Sequence, residues 1–320
     1  MCLAKYFKLN KMFFEVLGKV IFTLLSVKFS FSFIQFVYNI IYESNVDFKS
    51  TGKWAVITGC TDGIGKAYAE QLAKKGIDIV LISRTKSKLE CTAKMIRDNY
   101  NVQTKIIVAD FTEDESSLYP RLSKELDGMD IGILINNAGQ CYSHPEYFLN
   151  FKDDDPTFKN IIRCNIISIV NMCRIVMPAM VKKRRGIIMN IGSLSSPCPS
   201  PLLTVYGSSK TFVQKFSEDL NTEYQNYGVL VQCVMPGFVV TKMSKINKPT
   251  WLIPTAERYV ESALKTTKIE KLTTGYFPHT LLIYFIILLK TISPSLASTI
   301  ILNSMQKYRN KGLNETMKNN

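Results

Sequence analysis

The stretch Trp54-Ala-Val-Ile-Thr58-Gly59-Cys60-Thr61-Asp62-Gly63-Ile64-Gly65-Lys66 decides the fold. An apolar run passes into a glycine turn, and the turn opens a helix. Glycines let a backbone come close to a pyrophosphate, and a helix N-terminus offers free N–H groups at the positive end of its dipole. The spacing is Gly-x-x-x-Gly-x-Gly, distinct from the common Gly-x-Gly-x-x-Gly fingerprint. Alone such a motif is weak, so its meaning depends on the rest of the chain.

From Lys53 onward apolar runs alternate with helical stretches. This is the pattern of an α/β chain with a doubly wound parallel sheet of Rossmann type. Strands are expected at 54–58, 79–83, 105–109, 131–135, 186–192 and 229–235. Helices are expected at 64–75, 86–100, 113–126 and 206–227, and another runs from Phe158 up to Pro178 before the basic cluster Lys182–Arg185, which reads as a solvated loop. The second strand ends in Ser83-Arg84-Thr85, where an acidic residue would suit an NAD ribose. An Arg there pairs instead with the 2′-phosphate of NADP, so NADPH/NADP+ is the expected cofactor.

The fifth strand delivers Ser193-Leu-Ser195-Ser196-Pro197-Cys-Pro199-Ser-Pro201-Leu-Leu-Thr-Val-Tyr206-Gly207-Ser-Ser-Lys210. Tyr206 and Lys210 stand one helical turn apart and share a face. An ammonium there is expected to pull the phenol pKa down from about 10 toward a useful range. Ser193, at the strand end, could hold a substrate oxygen against the phenol; Ser195 and Ser196 compete for that part. The proline-rich segment between them is stiff and is expected to shape the substrate mouth.

Together the glycine turn, Asn136-Asn137-Ala138-Gly139, Ser193 and the Tyr206/Lys210 pair resemble the short-chain dehydrogenase/reductase family, over roughly Lys53 to Lys242. The resemblance implies ketone reduction with Tyr206 as proton donor, Lys210 binding the nicotinamide ribose, Ser193 on the carbonyl oxygen and Asn165 holding a proton-relay water. It also implies cofactor contacts from Gly59, Thr61, Asp62, Gly63, Ile64, Gly65 and Arg84, with Asp110 beside the adenine. Asn137, Ala138 and Gly139 would lie under the cofactor together with Tyr206 and Lys210. Pro236, Gly237 and Val239 would approach the nicotinamide, and Thr241 the pyrophosphate. Gly207 departs from the usual Ser or Ala after the Tyr, at a cost to the helix of up to ~1 kcal/mol.

The apolar N-terminal segment, Thr58–Gly65 and Ile82-Ser-Arg84 are similar to an endoplasmic-reticulum subgroup of that family. That likeness implies a lipophilic substrate: the 3-keto group of a very-long-chain acyl-CoA in fatty acid elongation, or a 17-ketosteroid. It implies a membrane-bound protein with its catalytic domain facing the cytosol, and allows a homodimer through the helices around Asn165 and Tyr206. A catalytically inactive membrane scaffold and a soluble sugar or polyketide reductase are competing readings.

The chain divides into three regions: 1–50 (basic stretch, anchor and linker), 51–274 (catalytic domain) and 275–320 (apolar segment and basic tail). In the first, Val20–Ile41 has about the ~20 residues of a bilayer-spanning helix, interrupted by Lys28. It reads either as an uncleaved anchor or as an amphipathic helix lying on the surface or packed on the domain. Residues 242–274 are expected to be a mobile lid, with Trp251 and Tyr259 as candidate pocket walls. Residues 275–302 read as an interfacial element or a hydrophobic cap. The net charge of +14 suits anionic headgroups or a polyanionic substrate, whereas no recognition motif points to nucleic acid. Eight Cys without a CxxC pair, and only two His, argue against a disulfide framework or a metal site.

Overall fold

The computed structural model describes residues 46–267 and 270–319, with short helical pieces at 15–20, 22–23 and 26–27. Those pieces belong to a separate N-terminal unit, 1–43, and are exposed. Most of the expected anchor, Val20–Ile41, lies outside the described residues.

The second unit is built on a seven-stranded sheet, parallel throughout, in the order β3-β2-β1-β4-β5-β6-β7. The strands are β1 (Trp54–Thr58), β2 (Asp78–Ser83), β3 (Thr104–Val108), β4 (Ile131–Asn136), β5 (Gly186–Ile191), β6 (Val229–Val234) and β7 (Leu272–Thr273). Helices α1 (Gly63–Lys74), α2 (Lys86–Tyr100), α3 (Glu115–Leu126), α4 (Thr157–Lys183) and α5 (Thr204–Tyr224) form the crossovers. Continuous apolar runs in the central strands result from this layering, because both faces are covered. Ala55, Ile57, Ile133 and Met189 point toward Leu72 and Tyr68 of α1 and Leu89, Ala93 and Ile96 of α2. Val56, Leu134, Ile188 and Val231 point toward Leu118 and Leu122 of α3, Met172 and Val176 of α4 and Val213 of α5. Each fully buried aliphatic side chain contributes ~1.5–3 kcal/mol. After β3 the chain crosses back to the far side of β1 and lays down β4. That reversal opens a crevice above the C-terminal ends of β1 and β4, where such sheets bind ligands.

Four differences from the sequence reading have physical causes. The region expected to be a lid contains α6 (Ala256–Lys265), whose apolar stripe Tyr259, Val260 and Ala263 packs on the sheet face beside α1, and the short edge strand β7. Tyr259 is therefore fully buried and donates to the Thr274 carbonyl at 2.8 Å; it is no pocket wall. Helix α4 runs through Pro178 to Lys183, and its turn Arg163–Ile167 is π-helical, so the helix is not uniformly α. Lys183 and Arg185 are not simply solvated, since both pair with Asp130 ahead of β4. By length and composition α4 could cross a membrane, yet half of its apolar window is buried, against the sheet.

Beyond β7 the chain forms α7 (Phe277–Ile292) and α8 (Pro294–Asn319). Tyr284, Phe285, Leu288 and Ile292 of α7 are exposed. The polar tail is thus mostly helix.

Candidate active site

The crevice is shaped by the turn after β1. Gly59 has φ +65°, and a Cβ there would stand 2.9 Å from Asn137 Nδ2. A Cβ on Gly65 would fall 2.3 Å from both the Gly59 carbonyl and Asn137 Nδ2. These glycines let the turn, the start of α1 and the loop after β4 pack as one body. Asn137 ties them together by donating from Nδ2 to the carbonyls of Thr58 and Gly59, each at 3.0 Å. The backbone amides of Asn137 and Ala138 both donate to Thr58 Oγ1, also at 3.0 Å. Thr58 was not anticipated as part of the site; a Thr ending a strand before a glycine turn was its only signal. Asp62 caps α1 and pairs with Lys242 at 2.6 Å.

Two cavities adjoin over this platform and share Gly59, Ala138 and Gly139. The larger, about 220 Å3, is lined by Asp62, Gly63, Ile64, Asn137, Tyr206, Lys210, Pro236 and Thr241 as well. Ile191, Gly192, Lys242 and Met243 join its wall without having been anticipated. The smaller, about 140 Å3, is lined by Arg84 and Asp110, with Phe111 and Gln140. Asp110 accepts from the Thr112 amide and hydroxyl at 3.0 and 2.8 Å. Four expected contact residues line neither cavity. Thr61 bonds Ser83, Gly65 is a packing position, Val239 lies in the core, and Gly237 faces His279. The donor set suits a dinucleotide: a glycine turn at a helix N-terminus in the middle, an Arg at one end and a Tyr/Lys pair at the other.

At the Tyr/Lys end, α5 positions both side chains and β5 brings the hydroxyls. Ser193 and Ser195 hydrogen-bond the Tyr206 phenol. Ser195 Oγ also donates to Ser193 Oγ at 2.6 Å, so both of those serines are engaged and Ser196 is not among them. Lys210 is buried, donates to the Ile191 carbonyl at 2.8 Å, and has its ammonium 5.8 Å from the centre of the Tyr206 ring. The expected lowering of the Tyr206 pKa does not appear. Burial pushes the phenol up, the neighbouring Cys141 adds to this, and the two serine hydrogen bonds oppose it only in part. Burial also lowers the Lys210 pKa. The phenol is accordingly protonated at neutral pH, as a proton donor must be.

Asn165 sits in the π-helical turn of α4 and is fully buried. Its Oδ1 accepts from the Gln140 amide at 2.7 Å, while Nδ2 donates to the Gln140 carbonyl at 3.0 Å and to Ser209 Oγ at 2.9 Å. Of its side-chain bonding capacity only the second lone pair of Oδ1 remains for a water. Insertions of this kind re-aim side chains and frequently occur at functional sites.

One residue that the sequence did not single out, His279, holds the loop after β6. His279, at the start of α7 and fully buried, accepts the Gly237 amide at Nδ1 (3.2 Å) and bonds the Leu252 carbonyl through Nε2 (3.0 Å). These partners set the tautomer: Nδ1 is bare and Nε2 carries the proton. Gly207 proves to be a contact position. A Cβ there would lie 2.9 Å from Ser200 Cβ, so the proline-rich segment presses directly onto α5.

Comparison with known proteins bears on this geometry. The model of the short chain dehydrogenase family matches residues 53–250. Very-long-chain 3-oxoacyl-CoA reductase-B of Danio rerio is 50% identical over 233 residues, 73% of this chain and 74% of that protein. Very-long-chain 3-oxoacyl-CoA reductase of Homo sapiens is 44% identical over 265 residues, 83% of this chain and 84% of that one. Among solved structures, a short-chain dehydrogenase from Sphingobium yanoikuyae in complex with NADPH is similar, with TM-score 0.62 and 29% identity over 69% of this chain and 86% of that one.

Proposed function

This chain belongs to the short-chain dehydrogenase/reductase family, and on that premise we propose that it reduces the 3-keto group of very-long-chain 3-oxoacyl-CoA with NADPH. It is an oxidoreductase acting between CH–OH and C=O, and it uses a nicotinamide cofactor. The observation that carries the reading is the meeting of Tyr206 and Lys210 with the glycine turn in a single cavity. The acyl-CoA substrate is favoured by two relatives of that name at 50% and 44% identity. NADPH is favoured by Arg84 in the second cavity, where no acidic residue replaces it at the end of β2.

The bound nicotinamide supplies the hydride. Tyr206, kept protonated by burial, gives its proton to the carbonyl oxygen as negative charge develops there. Ser193 holds the same oxygen, and the hydroxyl of Ser195 orients Ser193. Lys210 sets a positive charge beside the phenol and reaches the ribose side of the larger cavity. Asn165 positions the Gln140 backbone and Ser209, and thereby the floor beneath Lys210. A Cβ on Gly139 would come within 3.3 Å of Asn165 Oδ1 and 3.5 Å of Lys210 Nζ, so the floor at this point is a bare glycine.

Membrane attachment at the endoplasmic reticulum, with the catalytic unit toward the cytosol, belongs to the same proposal. It is supported by the apolar run 20–41, the net charge of +14 and the exposed apolar residues of α7. At 16 residues α7 is about 24 Å long, short of the ~30 Å hydrocarbon core, which suits an interfacial helix.

The test is NADPH oxidation by detergent-solubilised full-length protein, offered very-long-chain 3-oxoacyl-CoA and 17-ketosteroids in parallel. Turnover of the acyl-CoA, lost in Tyr206→Phe, is the expected result. Turnover of the steroid alone removes the substrate assignment, and turnover of neither removes the reductase reading.

A further inference from the structure

The last helix returns to the loop between β4 and α4. Arg309 of α8 donates from Nε to Glu146 Oε1 at 2.7 Å, and its guanidinium lies 5.4 Å from the centre of the Tyr147 ring. Gln306 donates to the Tyr147 phenol at 2.9 Å. Gly312 lies so near His144 that a Cβ there would stand 2.5 Å from His144 Cβ. Helix and loop are therefore in contact along successive turns of α8, held by more than a single ion pair.

Glu146 is the hub. The same oxygen, Oε1, also accepts from the Tyr147 amide at 2.7 Å and from Asn150 Nδ2 at 2.8 Å. The two charged side chains are largely sheltered, with 12% exposure for Glu146 and 23% for Arg309. From Glu146 the path continues inward. Its amide donates to the Leu202 carbonyl at 2.9 Å, and the Val205 amide donates to the Tyr142 phenol at 3.0 Å. Leu202 holds φ +64°, a left-handed conformation that costs a residue with a Cβ of order 1 kcal/mol or more and persists only where its surroundings enforce it. Four residues later comes Tyr206.

We infer that Arg309 is a positioning residue for the ketone substrate: by gripping Glu146 it fixes loop 142–150 and Leu202 as the wall beside the Tyr206 phenol. The inference rests on the carbonyl-reductase reading, since the wall serves the proton donor. It gives the C-terminal helix a share in substrate selection, although α8 contributes nothing to either cavity that receives the cofactor.

The experiment compares full-length wild type with Arg309→Gln and Arg309→Lys by amide hydrogen exchange and by steady-state kinetics. Loss of a charge-assisted hydrogen bond raises the exchange of amides that depend on it by about ten- to a hundredfold. Arg309→Gln should show that rise in 142–150 and 202–205, with strands β1 to β6 unchanged. Its KM for 3-oxoacyl-CoA should rise several-fold while the KM for NADPH stays put, and Arg309→Lys should recover part of both effects. Unchanged exchange in 142–150, a rise spread over the sheet, or equal changes in both KM values overturns the inference while an active wild type leaves the reductase reading intact. A wild type that reduces no ketone removes the reductase reading and this inference with it.

Discussion

The Lys210 ammonium lies 5.8 Å from the centre of the Tyr206 ring while donating its hydrogen bond to the Ile191 carbonyl. The charge therefore acts on the phenol through space and is anchored to the end of β5. Burial of the phenol pushes its pKa up and prevails over the lowering by Ser193 and Ser195. The pair is consequently poised for giving a proton, not for holding a phenolate.

Tyr206→Phe removes the proton donor and little volume. Its kcat/KM for a 3-oxoacyl-CoA should fall by about 10²–10⁴, while NADPH binding measured by fluorescence stays within about twofold. A variant retaining most of its activity would show that another group delivers the proton.

Alkaline pH should destabilise the fold. Burial raises the pKa of Tyr68, Tyr119, Tyr206 and Tyr259 above the ordinary value. A group whose pKa is higher folded than unfolded lends stability that is complete below its unfolded pKa, here about 10, and that is lost as pH rises through the folded one. Burial likewise raises the thiols of Cys60, Cys141, Cys164, Cys173, Cys198 and Cys233, whose unfolded pKa is about 8.5, so urea midpoints should begin to fall above about pH 8.5 and fall more steeply above pH 10. Absorbance titration should show these tyrosines ionising together with unfolding.

Arg84→Ala should narrow cofactor preference. A guanidinium contributes charge-assisted hydrogen bonds to a 2′-phosphate, so its loss should reduce the NADPH-to-NADH ratio of kcat/KM by about 10–100-fold. An unchanged ratio would place cofactor choice elsewhere in the cavity lined by Asp110 and Phe111.

His279→Ala strands the Gly237 amide and the Leu252 carbonyl, which together cost about 2–6 kcal/mol if they stay dry. His279→Asn keeps an acceptor for Gly237 and should recover part of that loss. Thermal unfolding and NADPH affinity are the readouts. If Asn behaves as Ala does, the Gly237 bond carries none of the effect.

The sheet was legible because β1, β2, β4, β5 and β6 are short apolar runs with clear punctuation, and the cofactor platform was legible because glycines must stand where backbones meet. Other features had no local signal. β7 has two residues, too few for any periodicity. The stripe of α6 was there to be read, but the position after the Thr241 turn suggested a lid. The π-helical turn around Asn165 leaves no trace in hydrophobic spacing, since it adds one residue to a helix without altering its composition. Tyr142 and His279 enter through contacts made across the chain, and no spacing rule reaches that far. The tail from Gln306 is polar and basic with nothing local to mark a contact, yet Arg309 has its partner more than a hundred and sixty positions earlier.

The near-touch of positions 207 and 200 couples two choices that look independent along the chain. Residue 207 adjoins Tyr206, and residue 200 belongs to the proline-rich segment packed against α5. Any side chain introduced at 207 has to be matched by retreat at 200, so this contact cannot be recut from one side alone. Attempts to redirect this protein to bulkier ketones should therefore vary the two positions jointly, and libraries that randomise only the proline-rich segment will sample half of the available shapes.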